Sequence, residues 1–214
     1  MTEKDLTAIQ QELAQLRQRV AQLEEEIAAQ PPSTEWQRRY YLTYYATAGF
    51  FLGMIAAIAS LLFNIVGSLI VGQHPLQLIR VYLTFGLGAR ALELDVAQQD
   101  GGLMLIIGCC LYIATGMLLG IVFQVVLSRW ADQASLTVRL VWASGLALLV
   151  WVVNFYLLLS WIQPWLFGGN WIVDPQWLPP WVAAATHLVF GWTMALLYPL
   201  GRYEPYHVRG ADEH

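Results

Sequence analysis

Four long apolar stretches dominate this chain, at about 44–72, 103–127, 140–162 and 181–200. Roughly 20 residues in helical conformation cover the hydrocarbon core of a bilayer, because each adds about 1.5 Å along the axis. Inside lipid the backbone has no water to bond, so each stretch satisfies its own amides by forming a helix. The expected fold is an all-α integral membrane protein with four transmembrane helices. Composition agrees: 57% of the 214 residues are hydrophobic and 12% are charged, against about 45–50% and about 25% in a soluble domain. That balance excludes a disordered chain and argues against a soluble enzyme. The net charge of −4 is spread thinly and leaves no electrostatic footprint for nucleic acid. Residues 2–30 are polar and the first apolar stretch is too long for a signal h-region, so that stretch is expected to stay in the membrane. Its length beyond the minimum predicts tilt or protrusion.

The segment before it, residues 1–30, carries a different pattern. Leu6, Ile9, Leu13, Leu16, Val20, Leu23 and Ile27 follow one another at steps of 3, 4, 3, 4, 3 and 4. This is a heptad repeat with Leu6, Leu13, Val20 and Ile27 at a and Ile9, Leu16 and Leu23 at d, the seam of a coiled coil. In a parallel pair of identical chains Glu12 would meet Arg17, and Arg19 would meet Glu24; both contacts attract. A helix lying on a membrane surface favours a basic face and bulky aromatics. This one has Glu24, Glu25 and Glu26 and no aromatic residue. A homo-oligomer of two to four chains is expected. Pro31 and Pro32 end the helix. Residues 31–43 then form a hinge and interfacial collar: Thr34 and Gln37 have capping-box spacing, and Trp36, Arg38, Arg39, Tyr40 and Tyr41 suit the headgroup level.

Basic residues set the expected orientation. Lys4, Arg17, Arg19, Arg38, Arg39, Arg129, Arg139, Arg202 and Arg209 fall on one side of four spans, and only Arg80 and Arg90 on the other. The positive-inside rule then puts both termini, including the tail 201–214, in the cytoplasm of a bacterial inner membrane. The layout resembles small four-span proteins of bacterial membranes, a resemblance that brings no functional residue with it.

Two outer segments follow, 73–102 and 163–180. In the first, Leu76, Ile79, Leu83 and Leu87 make a helical apolar stripe, expected to lie in the interface. Gly86 and Gly88 keep a re-entrant hairpin as the alternative for 76–95. The second holds Trp165, Trp171 and Trp177, flanked by Trp161 and Trp181, with Pro164, Pro175, Pro179 and Pro180. This predicts a rigid interfacial cap; stacking on sugars is the other use of such residues.

The membrane part reads as a parallel duplication of a two-helix unit. Asn64 precedes Gln73 by nine residues, and Asn154 precedes Gln163 by nine. Ala114-Thr115 precedes Gly120, and Ala185-Thr186 precedes Gly191, each glycine five after its threonine. Small residues spaced for close backbone approach, Gly49, Gly53, Gly116, Gly120 and Gly191, are the candidate helix contacts. Asn64, Thr115, Asn154, Thr186 and His187 are the polar groups at depth, expected to bond between helices as Asn64–Thr115 and Asn154–Thr186. Adjacent Cys109 and Cys110 suit neither a disulfide nor a zinc site.

No nucleophile motif, phosphate loop or metal-ligand spacing occurs, so no cofactor is expected. The expected function is non-enzymatic: a scaffold or accessory subunit of a larger inner-membrane assembly, in contact with lipid and other membrane subunits. Two alternatives stay open. One is an oligomeric channel or facilitator, which needs a continuous polar line. The other is haem- or quinone-linked electron transfer, resting on His187 with His74 and Arg80.

Overall fold

The computed structural model describes residues 3–29, 34–70, 72–97 and 99–203, without the side chains of 3–9, 25–29, 34–40 and 99. Pro31, Pro32 and the tail beyond Tyr203 lie outside the described residues, as do the side chains of Leu6, Ile9, Ile27, Arg38 and Arg39. Contacts divide the chain into two units, one ending at Tyr41 and the other starting at Leu42.

The first unit contains helix α1, Glu3–Ala29. Every described side chain along it, from Gln10 to Glu24, is exposed, including the seam residues Leu13, Leu16, Val20 and Leu23.

In the second unit all regular structure among the described residues is helical. After α2 (Thr34–Ile70), whose first residues up to Tyr41 belong to the first unit, come α3 (Gln77–Leu87), α4 (Gln99–Trp130), α5 (Leu136–Val152), α6 (Ser160–Phe167) and α7 (Pro180–Leu197). A π-helical segment, Val153–Leu159, joins α5 to α6 without a break. Four helical stretches are long and apolar enough to cross a membrane: Tyr41–Ile70, Asp100–Trp130, Leu136–Phe167 and Pro180–Gly201. Each is a little longer than its apolar core, because polar caps rather than hydropathy set helix ends. Ser135 caps α5 by accepting from the Val138 N–H, Gly168 closes α6 in a left-handed conformation (φ 74°), and Pro180 starts α7 where no amide is needed.

Small residues decide how the spans meet. α2 and α4 touch along Gly49, Gly53, Gly116 and Gly120, so closely that a Cβ at Gly53 would stand 2.8 Å from the Gly120 Cα. On the other side of the bundle α7 packs on α5, and a Cβ at Gly191 would stand 2.9 Å from the Ala143 carbonyl oxygen. With no water between helices to expel, such backbone approach is what gives membrane helices their packing energy. Phe123 and Phe190 fill the space between the two pairs, edge to face at 5.2 Å.

At the end of the bundle where α4 turns into α5 and α7 ends, the Asp132 carboxylate accepts from Tyr198 Oη (2.6 Å) and pairs with Arg202 Nε (3.2 Å). The Arg139 guanidinium lies 4.6 Å from the Tyr198 ring centroid. At the far end α3 packs across α4. Its Ile79 and Leu83 are buried at Gly108, whose missing side chain leaves room for them, while Leu87 is exposed. The amide of Gln77 donates to the Trp177 carbonyl, and Thr84 accepts from Gln163, so α3 ties the two far-end connections together. Of the tryptophans there, Trp161, Trp165 and Trp181 are exposed, while Trp171 and Trp177 pack against Ile172 and Leu178.

Candidate functional site

The deep polar residues form two chains of hydrogen bonds. In the first, Asn64 Nδ2 donates to Thr186 Oγ1 (2.8 Å) and to the Ser60 carbonyl (2.8 Å). Ser60 Oγ donates to the Ala57 carbonyl, so Tyr112 Oη is the donor in its 2.8 Å bond to Ser60. In the second, Thr115 donates to the Leu111 carbonyl and lies 2.6 Å from Tyr82 Oη, which is then the donor. Asn64 therefore does not pair with Thr115, nor Asn154 with Thr186. α2 meets α7 at the level of Asn64, and α3 brings Tyr82 against Thr115 before any asparagine reaches it.

Between these chains lies a cleft of about 110 Å³. Thr115, Asn154, Thr186 and His187 all line it, with Tyr82 and Tyr112. It thus gathers four of the five polar residues singled out in the spans, with Asn64 one bond behind Thr186. Its wall runs from buried Phe155 and Thr186 to exposed Thr115, so the cleft opens toward the lipid on the α4 side. No charged side chain lines it.

Two of its polar groups are left over. His187 Nδ1 lies 2.8 Å from the Ala183 carbonyl. A carbonyl only accepts, so Nδ1 carries the proton and Nε2 is an acceptor. The ring is held edge to face against Phe155 at 5.5 Å. Among the described residues, neither Nε2 of His187 nor the carboxamide of Asn154 has a hydrogen-bond partner. Asn154 belongs to the π-helical segment, and local chemistry accounts for that irregularity. Ser160 Oγ donates to the Tyr156 carbonyl, and Pro164 has no N–H to return to the Ser160 carbonyl, so the α ladder is loosened within the segment and again just after it.

His74 is elsewhere, in the turn before α3, where its Nδ1 accepts from the Leu76 N–H (3.1 Å). Burial, and then the charge of Arg80, push its pKa below the usual histidine value. It does not line the cleft that His187 lines. Arg80 itself donates to the Leu94 carbonyl. Tyr82 and Tyr112 were not singled out in the sequence; an aromatic with a hydroxyl is also an ordinary interfacial residue, and only the approach of α3 to α4 reveals their role.

The fold and cleft together define a multi-pass α-helical membrane protein with an uncharged, polar-tipped pocket among its helices. No protein-family model, curated protein or solved structure matches the chain.

The two asparagines should respond differently to substitution. Asn64→Leu removes a satisfied interhelical bond and is expected to lower stability by about 0.6 kcal/mol, reaching about 2 if the Thr186 contact is well isolated. Asn154→Leu removes no bond and is expected to leave stability unchanged or raise it. Unfolding of the detergent-solubilised protein by sodium dodecyl sulfate measures both; equal losses would mean that Asn154 is structurally bonded after all.

Proposed function

We propose that this chain is a non-enzymatic membrane subunit that joins copies of itself through α1. Its place would be that of a scaffold or accessory subunit in a larger bacterial inner-membrane assembly, with both termini cytoplasmic. The observation that carries the reading is the bare seam: Leu13, Leu16, Val20 and Leu23 are 45%, 61%, 53% and 41% exposed in the single chain. Aliphatic residues repeated along one face of a polar helix have no reason to persist in water unless a second helix covers them. A second copy is favoured because the flanking charges are self-complementary, Glu12 to Arg17 and Arg19 to Glu24. The membrane spans would hold the copies close and parallel, raising the effective concentration of a helix that is marginal alone.

The deciding experiment is crosslinking in native membranes with and without residues 1–30, followed by mass spectrometry of the crosslinked species. Loss of self-crosslinks on truncation supports the reading. Identical crosslinking of both forms would show that the seam serves another partner or no partner, and the homo-oligomer would have to be abandoned.

Orientation has its own test. In a Cys109→Ala, Cys110→Ala background, Asp100→Cys is expected to react with a membrane-impermeant maleimide in spheroplasts, and Gln133→Cys is not. Gln133 is exposed and lies beside the Asp132 network without taking part in it. The opposite labelling pattern would invert the topology.

A further inference from the structure

We propose that the cleft between α4, α7 and the π-helical segment binds a lipid-dissolved aromatic alcohol, a ring-sized phenol or quinol head on an apolar tail. The inference stands apart from self-association and rests on what the cleft offers and on how it arises.

Its size comes first. A cavity of about 150 Å³ lined by apolar side chains holds one benzene ring; at about 110 Å³ the cleft has room for no more than one small ring, part of it in the open mouth, and for no macrocycle. The walls are of the right kind: Tyr82, Tyr112, Phe123, Phe155 and Phe190 offer ring edges and faces to an aromatic guest. An ion is disfavoured, since no charged side chain would neutralise it away from water. The unused groups then define the polar tip of the ligand. His187 Nε2 needs a donor, because its own proton is committed to Ala183 through Nδ1. Asn154 offers both a donor and an acceptor. A hydroxyl donates to Nε2, and the same hydroxyl or a second one meets the carboxamide. The opening on the α4 side leads a tail into lipid.

The way the cleft arises argues that it is not a packing accident. The spans carry two sequence registers, 90 residues apart for α2 and α5 and 71 apart for α4 and α7. In these registers Gly53 corresponds to Ala143, Asn64 to Asn154, Thr115 to Thr186 and Gly120 to Gly191. The contact of Gly120 with Gly53 then has its counterpart in the contact of Gly191 with Ala143. The counterpart of the Asn64–Thr186 bond would be a bond from Asn154 to Thr115. Both residues face the same cleft, yet no such bond exists among the described residues: Thr115 is taken by Tyr82, and Asn154 sits on a π-helical turn. One of two equivalent polar locks is closed and the other is open. π-helical turns of this kind occur frequently at functional sites, and an unpaired amide in hydrocarbon is costly unless something pairs with it.

The test uses the full chain in phosphatidylcholine nanodiscs, with histidine labelled by ¹⁵N and 4-decylphenol as the probe. Saturable binding of one molecule per chain is expected above the background of empty discs. The methyl ether, 4-decylanisole, lacks the donor and should bind at least tenfold more weakly. Asn154→Leu and His187→Leu should each weaken 4-decylphenol at least fivefold, while Leu149→Phe on the exposed face of α5 should not. In the unsubstituted protein the His187 Nε2 resonance should move toward that of a hydrogen-bonded acceptor, a readout that does not depend on a variant folding. Equal binding of the anisole, or an unmoved His187 resonance at saturation, would overturn the proposal. Tail-less phenol binding as tightly as 4-decylphenol would overturn the membrane as the source of the ligand.

Discussion

Gly120→Leu is expected to undo the contact between α2 and α4, with a loss of about 3 kcal/mol or more, the upper end of what overpacking costs. A Cβ at this position would stand 2.5 Å from the Gly53 Cα and 2.9 Å from its nitrogen, and would also run into the Gly49 carbonyl oxygen. These are backbone atoms of a neighbouring helix. No side chain can swing aside, so the whole of α2 must move. The adjoining core, including Ala56, Ala57 and Ser60, is fully buried and is built from small residues that depend on the same approach. Gly145→Ala is the control, because a Cβ there meets nothing within 4 Å. The measurement is the midpoint of unfolding in mixed micelles. A Gly120→Leu protein that unfolds with the unsubstituted one would mean that the two helices are not in contact in the membrane.

Replacing Leu13 and Leu16 with lysine together is expected to split the self-associated protein while the four spans remain inserted. Each leucine buried in a seam contributes about 1.5–3 kcal/mol. Losing two per chain removes at least about 3 kcal/mol, more than a hundredfold in association, before repulsion between the new charges is counted. Glu12→Lys with Glu24→Lys should have a smaller effect that fades as salt is added, since exposed ion pairs contribute about 1 kcal/mol or less and are screened. Analytical ultracentrifugation of the detergent-solubilised protein, matched for detergent density, distinguishes the cases. Unchanged mass for the double lysine variant would remove α1 from the interface.

The spans were legible because apolar runs of this length have one physical solution in lipid; the structure extends the last three by a few residues at their caps and shifts the first, expected at about 44–72, to Tyr41–Ile70. Ser135, Gly168 and Pro180 mark three of those ends by local chemistry that is visible in the sequence. The polar residues of the site were legible by type, since any amide, hydroxyl or imidazole inside an apolar run needs a reason. Their pairing was not. Asn64 sits in one half of the chain and Thr186 in the other, and which helix meets which is a tertiary outcome that glycine spacing alone does not determine. The role of α3 was half legible. The stripe of Ile79 and Leu83 announces a buried face, but nothing in it says that Gly108 is the recess that receives it or that Tyr82 will reach Thr115.

The π-helical segment also changes the phase of everything that follows it. In an uninterrupted α-helix successive residues turn by about 100°, so Gln163, nine positions after Asn154, would point about 180° away and face lipid. One residue's worth of widening takes back about 100° of that rotation, leaving the two side chains within about 80° of each other. Both amides then face the protein: Asn154 lines the cleft, while Gln163 is fully buried, donating to Thr84 and accepting from the Ile172 N–H. Gln73, nine positions after Asn64, lies beyond the end of α2 at Ile70 and is exposed in the turn that follows. Straightening residues 153–159 into regular α-helix at unchanged length would therefore act like a twist of the whole far end of this span, carrying Gln163 out of its socket and unfastening α3 from a distance, whereas deleting one residue there would remove the widening and leave Gln163 in phase.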